Sequence, residues 1–258
     1  RLRRQSDFPP VQPGLFLLRG RAPEAAAHLE FRLLFADEPS AWWASAPRPQ
    51  GPAAALEPPL VPTRCWMDMM VTAAELAAPL GQLGGLWLEF GVATGRSLAF
   101  VSQHLRRLAP AATLHGFDSF HGIPQGWHKY GAETFSSEGR PPEFLQALEN
   151  VRLHVGFFGE TLPKFLEESP VPQPVAFLHA DMDLFASARE VFASLRCQLV
   201  PGTIIVFDEL FNYKGWHVDG EYRAWTALAA AHSIEWRPLG IFFEMAVPIV
   251  IESLPSDC

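Results

Sequence analysis

Apolar and polar residues alternate between two periods along most of this chain. "CWMDMMVTAAELAAPLG" (65–81), "SLAFVSQHLRRL" (97–108), "LFASAREVFASLRCQLV" (184–200) and "EYRAWTALAAAH" (221–232) carry helical spacing. In the third of these, Leu184, Ala188, Val191, Phe192, Leu195 and Leu199 fall on one face. Between the helices stand short apolar runs of strand length: "GLWLEFGV", "TLHGFDSF", "VRLHVG", "VAFLHADMD" and "GTIIVFDEL". The last is almost wholly apolar, as a strand covered on both faces must be. "IEWRPLGIFFEMAVPIVIE" (234–252) holds two strand-like runs with no helix between them, which predicts an antiparallel hairpin at one sheet edge. Strand and helix in alternation predict an α/β fold, a Rossmann-like, doubly wound and mostly parallel sheet.

Residues 1–62 break this rhythm and are expected to form a Pro/Ala-rich N-terminal arm, with residues 63–258 as the functional domain. Ala46–Pro62 reads as a linker, "EAAAHLEFRLLF" (24–35) as a short helix, and Trp42 and Trp43 as packing onto the main domain or as a dimer contact. The chain starts at Arg1 and is expected to be a fragment or a processed product. Its first stretch, "RLRRQSDFPPVQPG", lacks the apolar core of a secretory signal.

Composition narrows the class. A net charge of -8 argues against a general nucleic-acid binder, which needs a basic face. No apolar run approaches the ~20 residues of a spanning helix. Cys65, Cys197 and Cys258 are scattered, form no disulfide framework or CxxC metal site, and predict a reducing, cytoplasmic setting.

The chemistry concentrates at the strand ends, where doubly wound sheets bind ligands. After the first strand, Glu89 is followed by Gly91 and Gly95, a turn in which glycine lets backbone approach a ligand closely. The turn is not GxGxxG, so a pyrophosphate on a helix N-terminus, and with it an NAD-dependent oxidoreductase, is disfavoured. Asp118 ends the second strand, where a carboxylate can take both ribose hydroxyls. A nucleoside without pyrophosphate, with an amino or positive group near Glu89, describes S-adenosylmethionine.

With these residues in order, the chain resembles a class I S-adenosylmethionine-dependent methyltransferase, and more closely the macrocin O-methyltransferase family, which methylates sugar hydroxyls on natural products. The resemblance runs from about Leu86 to Glu252. It is carried by "LEFGVATGRS", "GFDSFHGIP", "VGFFGETLPKFL", "FLHADMDLFASA" and "PGTIIVFDELFNYKGW". It implies that Glu89, Gly91 and Gly95 line the methionine end of the cofactor. Asp118, with Ser119 and Phe120, would meet the ribose, and Gly156 and Phe157 the adenine. It further implies a homodimer and a Mg²⁺ ion held by Asp181, Asp208 and Glu209, the last standing where sugar-methylating members carry a second aspartate.

The acids also stand on their own terms. Asp181 and Asp183 end the fourth strand, Asp208 and Glu209 the fifth, so four carboxylates converge on one rim of a parallel sheet. Hard oxygen ligands suit Mg²⁺ or Ca²⁺, and such an ion would lower the pKa of a bound substrate hydroxyl. Without metal, Asp181 or His179 would serve as general base. Asp183 precedes a helix and is expected to act as its N-cap. His217 lies in "FNYKGWHVDGEYRAW", which suits either acceptor contact or an ordinary surface loop capped by Asp219 or Glu221. "HGIPQGWHKYG" (121–131), with His121, Trp127, His128 and Tyr130, is expected to form a lid; Lys129 and Arg140 read as solvated charges. The leading expectation is an O-methyltransferase acting on a small-molecule hydroxyl. Its rivals are a nucleotide-sugar glycosyltransferase using "DMD" (181–183) as a DxD metal motif, and a non-catalytic cofactor-binding module.

Overall fold

A computed structural model describes residues 66–127, 130–168, 172–210, 213, 216–217, 219–240 and 246–255. The expectations for the N-terminal arm, for His128 and for Lys129 lie outside the described residues. The elements are α1 (Trp66–Gln82), β1 (Leu86–Phe90), α2 (Arg96–Leu108), β2 (Leu114–Asp118), β3 (Val151–Val155), α3 (Phe158–Glu167), β4 (Val175–Ala180), α4 (Phe185–Leu195), β5 (Ile204–Phe207), α5 (Glu221–Ala231), β6 (Glu235–Pro238) and β7 (Val247–Ser253). A short 3-10 turn covers Glu143–Ala147.

The seven strands lie in the order β3-β2-β1-β4-β5-β7-β6. The first five are parallel, and β7 pairs antiparallel with both β5 and β6. This is the doubly wound sheet with a terminal antiparallel hairpin that the sequence predicts. Strand order reverses between β1 and β4, so the turns that leave these two strands are neighbours.

Alternation along the strands divides the core into two layers. Leu86, Leu88 and Phe90 of β1 face the side covered by α4 and α5, packing with Val191, Phe192 and Trp225. Trp87 faces the side covered by α1 and α2, with Met70, Leu98 and Phe177. Each such side chain, removed fully from water, contributes roughly 1.5–3 kcal/mol of transfer free energy. Both layers are apolar up to the rim, and there the buried polar residues Glu89, His179 and Glu221 begin.

Three local expectations need correction. Helix α3 was not foreseen, because Pro163 interrupts it. Its helical face was nevertheless written in Phe158, Leu162, Phe165 and Leu166, which pack on the core. Asp183 does not cap α4: it adopts φ +59, Leu184 takes the N-cap position, and no side chain bonds the helix start. Cys197, read as one of three scattered thiols, is disulfide-bonded. Among the described residues no helix is long and apolar enough to cross a membrane.

Candidate active site

The turn after β1 is built from left-handed backbone. Gly91 has φ +91 and Gly95, at the start of α2, φ +73. A Cβ on Gly91 would overlap the carbonyl oxygen of Asp181, and one on Gly95 would come within 2.5 Å of Leu145. Glycine at 91 therefore lets the β1 turn and the β4 turn touch backbone to backbone, and the Asp181 N–H donates to Phe90 O at 3.0 Å.

Asp118 fills the nest this turn makes. Its Oδ2 accepts the Val92 N–H at 2.8 Å and the Ala93 N–H at 2.7 Å, and its Oδ1 accepts the Phe120 N–H at 2.6 Å. Successive N–H groups in such a turn are a common anion site. Here the protein supplies the anion itself, which argues against a phosphate at this position. A carboxylate has about four lone-pair sites, so one remains for a hydroxyl. Ser119, beside it, is buried and accepts the His121 N–H at 3.1 Å. The Gly156 N–H donates to Asp118 O at 3.0 Å, which ties the end of β3 to the same corner, while Phe157 stays 45% exposed.

Glu89 lies beneath the turn. Its carboxylate is fully buried; Oε1 accepts the Ser97 hydroxyl at 2.7 Å and Oε2 pairs with His179 Nδ1 at 3.3 Å. Burial alone would lower the His179 pKa, but the Glu89 hydrogen bond and charge, with Asp208, raise it. His179 is itself fully buried.

The second half of the rim is acidic. Asp181, Asp183, Asp208 and Glu209 are all half-buried at the ends of β4 and β5, and the Asp208 N–H donates to Ala180 O at 2.9 Å. Loss of water around Asp181, together with the charges of Asp208, Asp183, Glu209 and Glu221, pushes its pKa well above the carboxylate range. Glu221 is a fifth carboxylate that sequence reasoning saw only as a loop cap. It is buried at the first position of α5, and burial drives its pKa up despite a hydrogen bond from the Met182 N–H. Burial and the charges of Glu221, Glu209, Asp183 and Asp219 push the Tyr213 phenol up. His217 is half-buried and packs edge-on against Trp216, which in turn meets Tyr222 of α5.

Among the described residues no three His, Cys, Asp or Glu side chains are arranged to hold a metal ion. The charges of Asp208 and Glu209 act on Asp181, but as placed the three do not form a cation site. Part of the segment expected as a lid packs beside the β4 turn. Trp127 is buried with Ile123 and Leu184, and Tyr130 and Tyr213 pack on that cluster. Arg140 is an exposed charge beside Glu138.

Comparison with known proteins bears on the domain and the fold. Residues 88–210 match the model of a methyltransferase domain family, Methyltransf_24. Among solved structures, the calicheamicin methyltransferase CalS11 shares 22% identity, with 91% of this chain and 95% of that chain covered and a TM-score of 0.60. An apo structure of CalS11, described as a TDP-rhamnose 3'-O-methyltransferase, covers 90% and 95% at TM-score 0.55. The O-methyltransferase NovP shares 20% identity over 72% of this chain and 79% of that one, at TM-score 0.56. At these identities the likeness establishes the fold. No curated protein matches the sequence. The domain match falls on the turn, the nest and the acidic rim together, and residues 88–210 are an S-adenosylmethionine-dependent methyltransferase domain in a class I fold.

Proposed function

We propose that this chain transfers a methyl group from S-adenosylmethionine to a hydroxyl of a sugar, free or carried on a natural product or nucleotide, as the macrocin O-methyltransferases do. One observation carries the reading: a turn whose anion nest is filled by Asp118 adjoins, through Gly91, a rim of crowded carboxylates. The first half suits a cationic nucleoside; the second suits a hydroxyl that must lose its proton. The substrate named for CalS11, TDP-rhamnose, supports a sugar acceptor and supplies the first one to try.

When bound, S-adenosylmethionine supplies an electrophilic methyl group on a sulfonium. The residues of this chain do the rest. Asp118 offers its remaining lone pair to the ribose, with Ser119 and Phe120 beside it. Gly156 and Phe157 bound the adenine side. Gly91 and Gly95 let backbone close on the methionine end, and Glu89 supports them from below. Asp181 takes the proton of the acceptor hydroxyl as the oxygen attacks, because its crowded carboxylate is a stronger base than an isolated one. With the cofactor held there, the oxygen that Asp181 deprotonates would take up the methyl group, and the bond to sulfur would give its electron pair to the departing thioether. His179, already paired with Glu89, acts behind the turn, and His217 contacts the acceptor from the loop after β5. No step is assigned to Mg²⁺, since the carboxylates as placed do not fit it.

The test begins with calorimetric titration of the purified chain with S-adenosylmethionine and S-adenosylhomocysteine. Micromolar binding, about 8 kcal/mol, is expected from both. Turnover is then followed as S-adenosylhomocysteine released in the presence of TDP-rhamnose and neutral rhamnosides. Failure of a folded protein to bind either nucleoside sinks the reading, and stabilisation by uridine-diphosphate sugars instead would install the glycosyltransferase.

A further inference from the structure

The turn that carries Asp181 and Asp183 is not held by local sequence. Asp183 sits at φ +59, a left-handed conformation uncommon for a residue with a Cβ, though aspartate tolerates it better than most. The Leu184 N–H closes back on Met182 O at 2.5 Å, so the chain doubles over within three residues. At its near end the turn rests on β1, through the Asp181 N–H on Phe90 O and the missing Cβ of Gly91.

Toward its far end, where Leu184 packs against Trp127 and Ile123, the turn's backbone is also held by a side chain from 39 residues downstream. Glu221 is 1% exposed, and its Oε1 accepts the Met182 N–H at 2.8 Å. Its Oε2 is buried and has no hydrogen-bond partner among the described residues. A carboxylate normally stays in water unless something holds it inside. The residue before it explains how it gets there. Gly220 has φ +98 and ψ -166, a region essentially reserved for glycine, and a Cβ there would overlap the Tyr213 hydroxyl. Helix α5 can thus begin against the rim, with its first side chain turned inward. As an N-terminal helix residue Glu221 would ordinarily cap or face solvent; it bonds another element instead.

We propose that Glu221 is a positioning residue for the acceptor rim: by holding the Met182 amide it fixes the aim of Asp181 and Asp183 on either side. This rests on the functional reading above for what the rim does, but the contact itself stands without it.

The experiment compares Glu221→Ala and Glu221→Gln with wild type in the full chain. Hydrogen–deuterium exchange is read at the Met182 amide, and S-adenosylmethionine affinity is measured in parallel. Glu221→Ala is expected to speed Met182 exchange at least tenfold while affinity stays within twofold. Glu221→Gln keeps an acceptor oxygen and is expected to restore protection. With TDP-rhamnose as acceptor, kcat falls at least tenfold in Glu221→Ala and recovers in Glu221→Gln, with KM for S-adenosylmethionine unchanged. Unchanged Met182 exchange in Glu221→Ala overturns the proposal. So does equal loss of cofactor binding and rim protection in both variants, which makes Glu221 a general fold residue. If Glu221→Ala does not fold, Glu221→Gln and Glu221→Asp decide: protection that does not follow the reach of the acceptor oxygen overturns it. Absence of cofactor binding in wild type breaks the methyltransferase reading and leaves the exchange result to judge Glu221.

Discussion

Asp118 and Asp181 occupy matching places in the sheet, one closing β2 and the other leaving β4, yet their surroundings are opposite. Asp118 is met by three backbone N–H groups. Asp181 is surrounded by four other carboxylates that raise its pKa. Donors make the first an anchor that stabilises its turn while charged. Burial and crowding make the second a carboxylate that holds its proton more tightly, kept in place at a cost to stability. The division follows the switch point: the half proposed to bind the cofactor is satisfied, and the half proposed to face the acceptor is frustrated.

The two halves meet at Gly91, so its substitution should have the largest effect. Gly91→Ala places a Cβ on the Asp181 carbonyl in a backbone region unsuited to alanine. A loss of about 3–5 kcal/mol is expected from strain and overpacking together, read in urea melts, with cofactor binding lost as well. A melt within 1 kcal/mol of wild type would show that the halves are not joined there.

Asp181→Asn separates base strength from folding. Removing one of the crowded charges should leave the fold as stable or slightly more stable, while turnover falls by about 10²–10⁴, the usual worth of a general base. If both decline together, Asp181 is a structural acid and the contrast with Asp118 fails. Asp118→Ala should do the reverse. Three N–H groups lose their acceptor, at roughly 1–3 kcal/mol, and cofactor affinity should drop by about 100-fold in calorimetry. Asp118→Asn keeps one acceptor oxygen and should recover part of both.

Much of this contrast was legible in the sequence, and the reason is physical. Period alone fixes the order of strands and helices, and in a parallel sheet that order sends every strand end to one rim. Glu89, Gly91, Asp118, Asp181 and Asp208 could thus be placed together from their positions in the chain. Direction was harder. That Glu89 points beneath its turn to Ser97 and His179 depends on which sheet face it occupies and how α2 docks. Asp183 looked like an N-cap because acids before helices usually are, but the doubled-back turn removes it from that position. Glu221 escaped notice because an acid at a helix start suggests solvent; only Gly220, with a conformation no other residue adopts easily, hinted at a helix packed hard against the rim.

The finest test of the comparison sets the rim against a half-buried histidine cluster on β2 and β3, toward one edge of the sheet. His115 Nδ1 lies 3.0 Å from His154 Nε2, and both rings pack among Phe117 and Phe165. Burial first, then the charges of His154 and Arg152, lowers the His115 pKa to about 4. A depressed histidine stabilises the fold fully above its unfolded value of 6.5 and loses that contribution as pH falls through about 4, by up to roughly 3 kcal/mol. Asp181 and Glu221 act in the opposite sense. Their folded pKa values are raised, so their contribution is complete below the ordinary carboxylate range and is lost as pH rises through the raised values. Between these limits the two clusters have opposite slopes, so the stability of wild type should change less with pH than that of a variant lacking either one. His115→Phe should unmask the rim, giving stability that declines steadily as pH rises. Asp181→Asn should unmask the histidines, giving stability that declines as pH falls. Thermal melts across that range in the two variants check both slopes; equal slopes would mean that one cluster governs the titration of the whole sheet.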